Sequence, residues 1–365
     1  MLATTLTLAL GVTISLSNAL PSSTHSKHDS SWSSTKNLIA FGDSYTFIQG
    51  TAGYPNYSFI GDAFNYAYDA ETLLSDKIVQ NQTGTAEGGP NWVEYLTGCG
   101  LEEGLTSPIS CKTQLWNFAF AGSGVSEEFI PLHHNYTISF VNQIKQFTTY
   151  GHSVLAGSSS DKHNPKGKPI LSPSETLIAI WIGINDINDS ADYNLTSVEF
   201  REFYDTLVST LFSSLDPLVE LGYKQYLLLN LPPLDRTPSN QARSLKGEEP
   251  SPSAKQVQWF NRALSKHTQS FARRKRHSGV RAFVFDAHTV LSNVLDLPEI
   301  YGIKNTTDFC PGYDQPDIQQ EYEKYGCPTP LNTYFWYNSG HTTARVHEIL
   351  ADKLEGVLKR WTLIL

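Results

Sequence analysis

Residues 176–186 read Thr-Leu-Ile-Ala-Ile-Trp-Ile-Gly-Ile-Asn-Asp, and this stretch decides the fold class. Over 176–182 apolar side chains stand on both faces of the run, without the alternation of a strand that has one face in water. Such a segment suits the middle of a parallel sheet covered on both sides. Working outward, shorter apolar runs recur at 38–41, 115–121, 226–229 and 282–285. Helix-length stretches lie between and beyond them. Over 198–221, Phe203, Leu207, Leu211, Leu215, Leu218 and Leu221 follow steps of four and three and stop at Gly222. Residues 253–276 put Val257, Phe260, Leu264 and Phe271 on one side, and 342–361 align Val346, Ile349, Leu350, Leu354, Val357, Leu358 and Trp361. Strands alternating with helices predict a three-layer α/β/α sandwich around a central five-stranded parallel sheet.

In such sheets ligands bind at the carboxyl ends of the strands, and that is where the least ordinary residues of this chain fall. The first run ends in Gly42-Asp43-Ser44, the second runs into Gly122-Ser123-Gly124, and the third ends in Gly183-Ile184-Asn185-Asp186. The last helix follows Asn338-Ser339-Gly340-His341. Ester hydrolysis needs a nucleophile, a base and donors aimed at the tetrahedral oxyanion. Ser44 is the candidate nucleophile, and His341 the base that takes its proton and returns it to the leaving alcohol. The Ser44 N–H, the unshielded Gly122 N–H and the Asn185 side-chain amide are the candidate oxyanion donors. Each residue is weak evidence alone; four at successive strand ends are not.

These segments resemble the GDSL esterases of the SGNH hydrolase superfamily, with the fungal secreted carbohydrate esterases of family 16, which are acetylesterases, as the nearest group. FGDSYT (41–46), NFAFAG (117–122), GIND (183–186) and YFWYNSGHTT (334–343) carry the blocks. GGPNWVEYL (88–96), NLPPLDRTP (230–238), WFNRAL (259–264) and YGIKNTTDFC (301–310) extend the likeness over the mature chain. The resemblance implies a flavodoxin-like sheet, no cofactor, and a small acylated sugar or oligosaccharide as substrate. Lipid esters are the alternative, and no amphipathic lid is evident. Asp43, Trp92 and Trp336 are candidate substrate contacts, with core packing as the competing reading of the tryptophans.

One position departs from the pattern. The superfamily has Asp three residues before the His, and this chain has Asn338. Three readings stand. Asn338 orients His341 through its carbonyl oxygen; or His341 is held by a backbone carbonyl or another acid, with Asp286, Asp308 and Asp314 available; or the protein is a weak hydrolase or a silent carbohydrate-binding homologue.

The remaining features concern location. Residues 1–19 carry no charged side chain and end in Ser17-Asn18-Ala19, the pattern of a cleaved secretory signal, although the basic start is missing. Residues 20–36 read as a flexible polar leader and 37–365 as a single domain. Sequons at Asn56, Asn81, Asn135, Asn188, Asn194 and Asn305 suit a secreted glycoprotein. Cys99, Cys111, Cys310 and Cys327 allow three connectivities; pairing Cys99 with Cys111 and Cys310 with Cys327 closes two short loops. In the 365 residues 17% are charged and the net charge is −9, with no basic stretch to follow a phosphate backbone, so a nucleic-acid partner is not expected. The Arg273–Arg276 run reads as a solvated helix end. Neither stable membrane insertion nor an oligomer is expected. No metal is expected: His133-His134, His347-Glu348 and Asp286-Ala-His288 lack ligand spacing and read as structural or surface residues. Glu127 stands where a dinucleotide loop needs its third glycine, and no Gly-x-Ser-x-Gly elbow is present.

Overall fold

The computed structural model describes residues 32–61, 68–157 and 170–361. Five strands, β1 (Asn37–Gly42), β4 (Gln114–Asn117), β5 (Thr176–Trp181), β6 (Gln225–Leu229) and β7 (Arg281–Phe285), form one parallel sheet in the order β4-β1-β5-β6-β7. Two short strands, β2 (Ile78–Gln80) and β3 (Gly104–Thr106), pair antiparallel outside it. Every residue of β1 and β5 is buried, as a strand without a polar face requires.

Side-chain alternation assigns the two covering layers. Tyr226 of β6 points its ring at Phe271 of the Ala254–Arg274 helix, which packs on the Ser197–Ser214 helix. One residue on, Leu227 is in register with Phe283, whose ring meets Trp361 of the Ala344–Trp361 helix on the opposite face. Trp181, two positions beyond Ala179 in the same register, lies on that second face against Trp92. The arrangement is the three-layer α/β/α sandwich with its strands in 2-1-3-4-5 order. In that order the chain reverses direction across the sheet at β1, and the strand ends flanking β1 frame a crevice.

Local chemistry sets the boundaries. The Ser197–Ser214 helix starts on a capping box, Thr196 with Glu199, and the 253–276 stretch starts on another, Ser253 with Gln256. The 198–221 stretch is not one helix: it breaks at Leu215 and restarts as Asp216–Glu220, because Pro217 lacks the N–H that a continuous helix needs. The second strand is shorter than 115–121. At Asn117 the side chain donates to the Thr46 carbonyl and accepts from the Ala119 N–H, turning the chain toward the crevice, while the Phe118 and Phe120 N–H groups still reach Ala40 and Gly42. The expected leader is also shorter at its end. Trp32–Ser34 form a 3₁₀ turn, the Lys36 N–H bonds Glu175, and Trp32 packs on the core. Residues 1–31, with the expected signal segment, lie outside the described residues. Cys99 is bonded to Cys111 and Cys310 to Cys327, with Cα separations of 5.5 and 5.2 Å. No helix among the described residues is long and apolar enough to cross a membrane.

Candidate active site

The carboxyl ends of β1, β4 and β5 meet where β1 has a neighbour on each side. Gly42 ends β1 with no room for a side chain: a Cβ there would lie 2.3 Å from the Trp181 carbonyl. Gln143 clamps that end from the Phe140–Gln146 helix, accepting from the Gly42 N–H and donating to its carbonyl. The chain then turns tightly, with the Thr46 and Phe47 N–H groups on the Asp43 carbonyl, and presents Ser44 at the crevice. The Ser44 Oγ lies 2.8 Å from His341 Nε2. Gly122, with φ of +80°, and Asn185, at the start of the Ile184–Ser190 helix, line the same cavity of about 680 Å³. Asn185 spends one amide hydrogen on the Ser123 carbonyl at 2.8 Å and keeps the other.

Asn338 lies against His341. Its Oδ1 accepts three N–H groups: those of Gly340 at 3.0 Å and His341 at 2.8 Å from the backbone, and His341 Nδ1 at 3.0 Å. The two backbone donors identify the atom facing the imidazole as oxygen, so Nδ1 carries the proton and Nε2 offers its lone pair to Ser44. The other candidate acids bond elsewhere. Asp286 caps the Ala287–Asp296 helix and binds Asn230, and Asp314 binds Gln315, while Asp308 lines a separate depression. Burial holds the His341 ring down to about 4, with no carboxylate to favour its cation.

Beneath the site lies a buried polar layer. Asp43 is fully buried and pushed up to about 8, mainly by burial and further by Asp186. Asp186 accepts the Val125 N–H on both oxygens, and burial raises it to about 7. Glu94 is raised to about 8 and Glu87 well above the carboxylate range, both by burial. His347, lowered to about 3 by burial and the charge of His341, accepts the Trp92 N–H on Nδ1. Tyr45 lies between the two histidine rings and donates to the Gly340 carbonyl at 2.5 Å.

The three expected substrate contacts are corrected by this burial. Asp43 is 0% exposed and accepts the Tyr45 N–H; it supports the turn that carries Ser44 from below. Trp92 and Trp336 are also 0% exposed, their indole N–H groups spent on Thr46 and on the Thr306 carbonyl. Both are core residues. The aromatic lining is instead Tyr57 together with Tyr313 and Tyr337, whose rings pack edge-on. Gly88 makes room for Tyr337, since a Cβ there would lie 2.3 Å from that ring. His133 and His134, read from sequence as structural or surface residues, line the cavity too. Tyr337 adjoins Asn338 in sequence and could have been found from it. Tyr57 and Tyr313 lie in loops with no periodic signal. Among the described residues no His, Cys, Asp and Glu cluster is placed to hold a metal ion.

Fold and crevice define an enzyme class, the carboxylic-ester hydrolases built on a three-layer α/β/α sandwich. Within that class the chain belongs to the GDSL-like lipase/acylhydrolase family, whose model matches residues 38–354. An acetylesterase of Thermothelomyces thermophilus is 28% identical over 334 residues, 89% of each chain. An acetylesterase of Hypocrea jecorina is 21% identical over 88% of each, and GDSL esterase/lipase 3 of Arabidopsis thaliana is 23% identical over 65% of each.

Proposed function

We propose that this protein is a secreted serine esterase that removes short acyl groups, acetyl above all, from small sugars or oligosaccharides derived from plant polysaccharide. The observation that carries the reading is the 2.8 Å contact of Ser44 Oγ with His341 Nε2 at a cavity lined by Gly122 and Asn185. Ser44 attacks the ester carbonyl while His341 takes its proton. The oxyanion is received by the Ser44 and Gly122 N–H groups and the spare Asn185 amide hydrogen. His341 then protonates the leaving alcohol, and water releases the acyl group from Ser44 by the same steps in reverse. Asn338 holds the imidazole in the required tautomer throughout. Tyrosine walls suit the faces of a sugar ring, and the fungal relatives are named acetylesterases. Two disulfides and the sequons support an oxidising, extracellular setting. Asn56, Asn81, Asn135, Asn188 and Asn194 are exposed and Asn305 is half-buried, so each is a candidate carrier of a glycan. A monomer without a nucleic-acid or membrane partner is the working assembly.

The test is a fluorophosphonate label with a p-nitrophenyl ester series. Labelling and turnover are expected to vanish together in Ser44→Ala, with acetate preferred to butyrate and octanoate poor. Retained turnover in that variant would sink the mechanism. Preference for octanoate would favour a lipid-ester hydrolase, the reading that the name of the plant relative supports. An unlabelled, inactive wild type would leave a carbohydrate-binding homologue.

A further inference from the structure

His133 stands at the Gly122 side of the cavity, outside the Ser44–His341–Asn338 chain. Its Nε2 lies 2.9 Å from Asp189 Oδ2. Asp189 is one turn beyond Asn185 on the Ile184–Ser190 helix, so one short element supplies both an oxyanion donor and the anchor of this imidazole. The ring is pressed against the glycine: a Cβ on Gly122 would lie 3.2 Å from both Cβ and Nδ1 of His133. The missing side chain at 122 therefore leaves room for the His133 ring as well as exposing the N–H. With Nε2 on Asp189, Nδ1 has no partner among the described residues, and the residue lines the same cavity as Ser44.

We propose that His133, anchored by Asp189, is a further catalytic residue, a donor that in its protonated form reaches from Nδ1 to the oxygen held at the Gly122 N–H. The inference rests on the serine-esterase reading above. An imidazole with Nε2–H on a carboxylate offers only a lone pair at Nδ1 while neutral and an N–H once protonated. The added donor thus exists only below the pKa of His133, which the hydrogen bond to Asp189 raises, with smaller contributions from Asp186 and Asp43. The charged or titratable groups facing it are Asp189 and Asp186 from the helix, Asp43 from the turn after β1, His134 beside it and His341 across the cavity.

The experiment is the pH profile of kcat and kcat/KM on p-nitrophenyl acetate between pH 5 and 9 for the whole protein, with fluorophosphonate labelling of the same preparations. In wild type, turnover is expected to fall as pH rises through the His133 pKa. His133→Ala removes that alkaline limb and lowers kcat roughly tenfold on the acidic side with KM little changed, the behaviour of a charged hydrogen bond made in the transition state. Asp189→Asn keeps the ring in place and moves the limb to lower pH. The buried Asp43 and Asp186, raised to about 8 and about 7, titrate within the pH range scanned and remain in both variants. A wild-type limb that persists unmoved in His133→Ala therefore overturns the proposal, as does a change confined to KM. A wild type that neither labels nor turns over overturns the serine-esterase reading and this inference with it. A labelled, active wild type with unaltered variants overturns this inference alone.

Discussion

Asn338 supplies an oxygen where related hydrolases supply a charge. An amide in this place can fail by presenting its NH₂ group and enforcing the wrong imidazole tautomer, which in a serine-protease triad costs ~10⁴ in turnover. Here the Gly340 and His341 backbone N–H groups pin the oxygen toward the ring. The tautomer survives and only the charge is lost, which leaves the burial of His341 uncompensated and its pKa near 4. With neutral His341 as the proposed base, the acidic limb of kcat/KM is expected to lie near pH 4. Asn338→Asp puts a negative charge beside the imidazolium, raises the pKa and moves this acidic limb to higher pH. Asn338→Ala is expected to lower kcat/KM by roughly tenfold or more, the worth of one hydrogen bond to a charged ring. A pH–rate series on the three proteins measures both; an unmoved limb in the Asp variant with full activity in Ala would show that Asn338 does not support His341. Residues of this kind were legible in the sequence because strand ends and the last-helix start fix where they fall. Trp92 and Trp336 were not: whether an indole faces a cavity depends on packing by distant elements. His133 escaped notice because ligand spacing tests for metal chemistry alone, and its partner Asp189 lies 56 residues away.

Among the elements, the apolar runs located all five sheet strands, since a strand buried on both faces is readable without any partner. Their pairing order is a property of the crossovers and was not in the runs themselves. Pro217 could have divided the 198–221 stretch from sequence, but the heptad-like leucines continue across it and hid the break. The loop closed by Cys310 and Cys327 matters more for the site. It carries Tyr313, whose carbonyl accepts from Gln82 and whose ring packs edge-on against Tyr337 in the cavity wall. Replacing both cysteines by Ser is expected to cost ~3 kcal/mol of stability, the loop-closure value for a closure of this length, read from a denaturant melt. KM should rise with kcat nearly unchanged, because the wall is loosened while the reacting groups are untouched. A KM identical to wild type would mean that Tyr313 does not contact the substrate.

At the scale of the whole molecule, the buried acids and histidines under the crevice set how folding responds to pH. In the unfolded chain Asp and Glu are ionised well below pH 6, whereas the native protein keeps protons on Asp43 and Glu94 up to about 8. The folded state binds more protons in that interval, so these groups make stability fall as pH rises. His341 and His347 act oppositely. They are neutral in the fold down to about 4 and about 3 but protonated in the unfolded chain below its value near 6.5, so their effect is a gain in stability as pH rises that ends near 6.5. Above pH 6.5 the acids contribute a falling slope, and His133, whose pKa Asp189 raises, adds to it in the same direction. The melting temperature is therefore expected to decline between pH 6.5 and 8, by up to roughly 1.4 kcal/mol of stability per pH unit for each retained proton. A flat or rising melting temperature over that interval would contradict the burial of these groups. Asp43→Asn, which carries no proton to lose, should flatten the decline. The layer beneath Ser44 is thus also an alkaline liability. In mildly acid surroundings the interior can stay uncharged, whereas in basic ones electrostatic load gathers directly under Ser44, and the enzyme's durability and its reacting centre share one weak point.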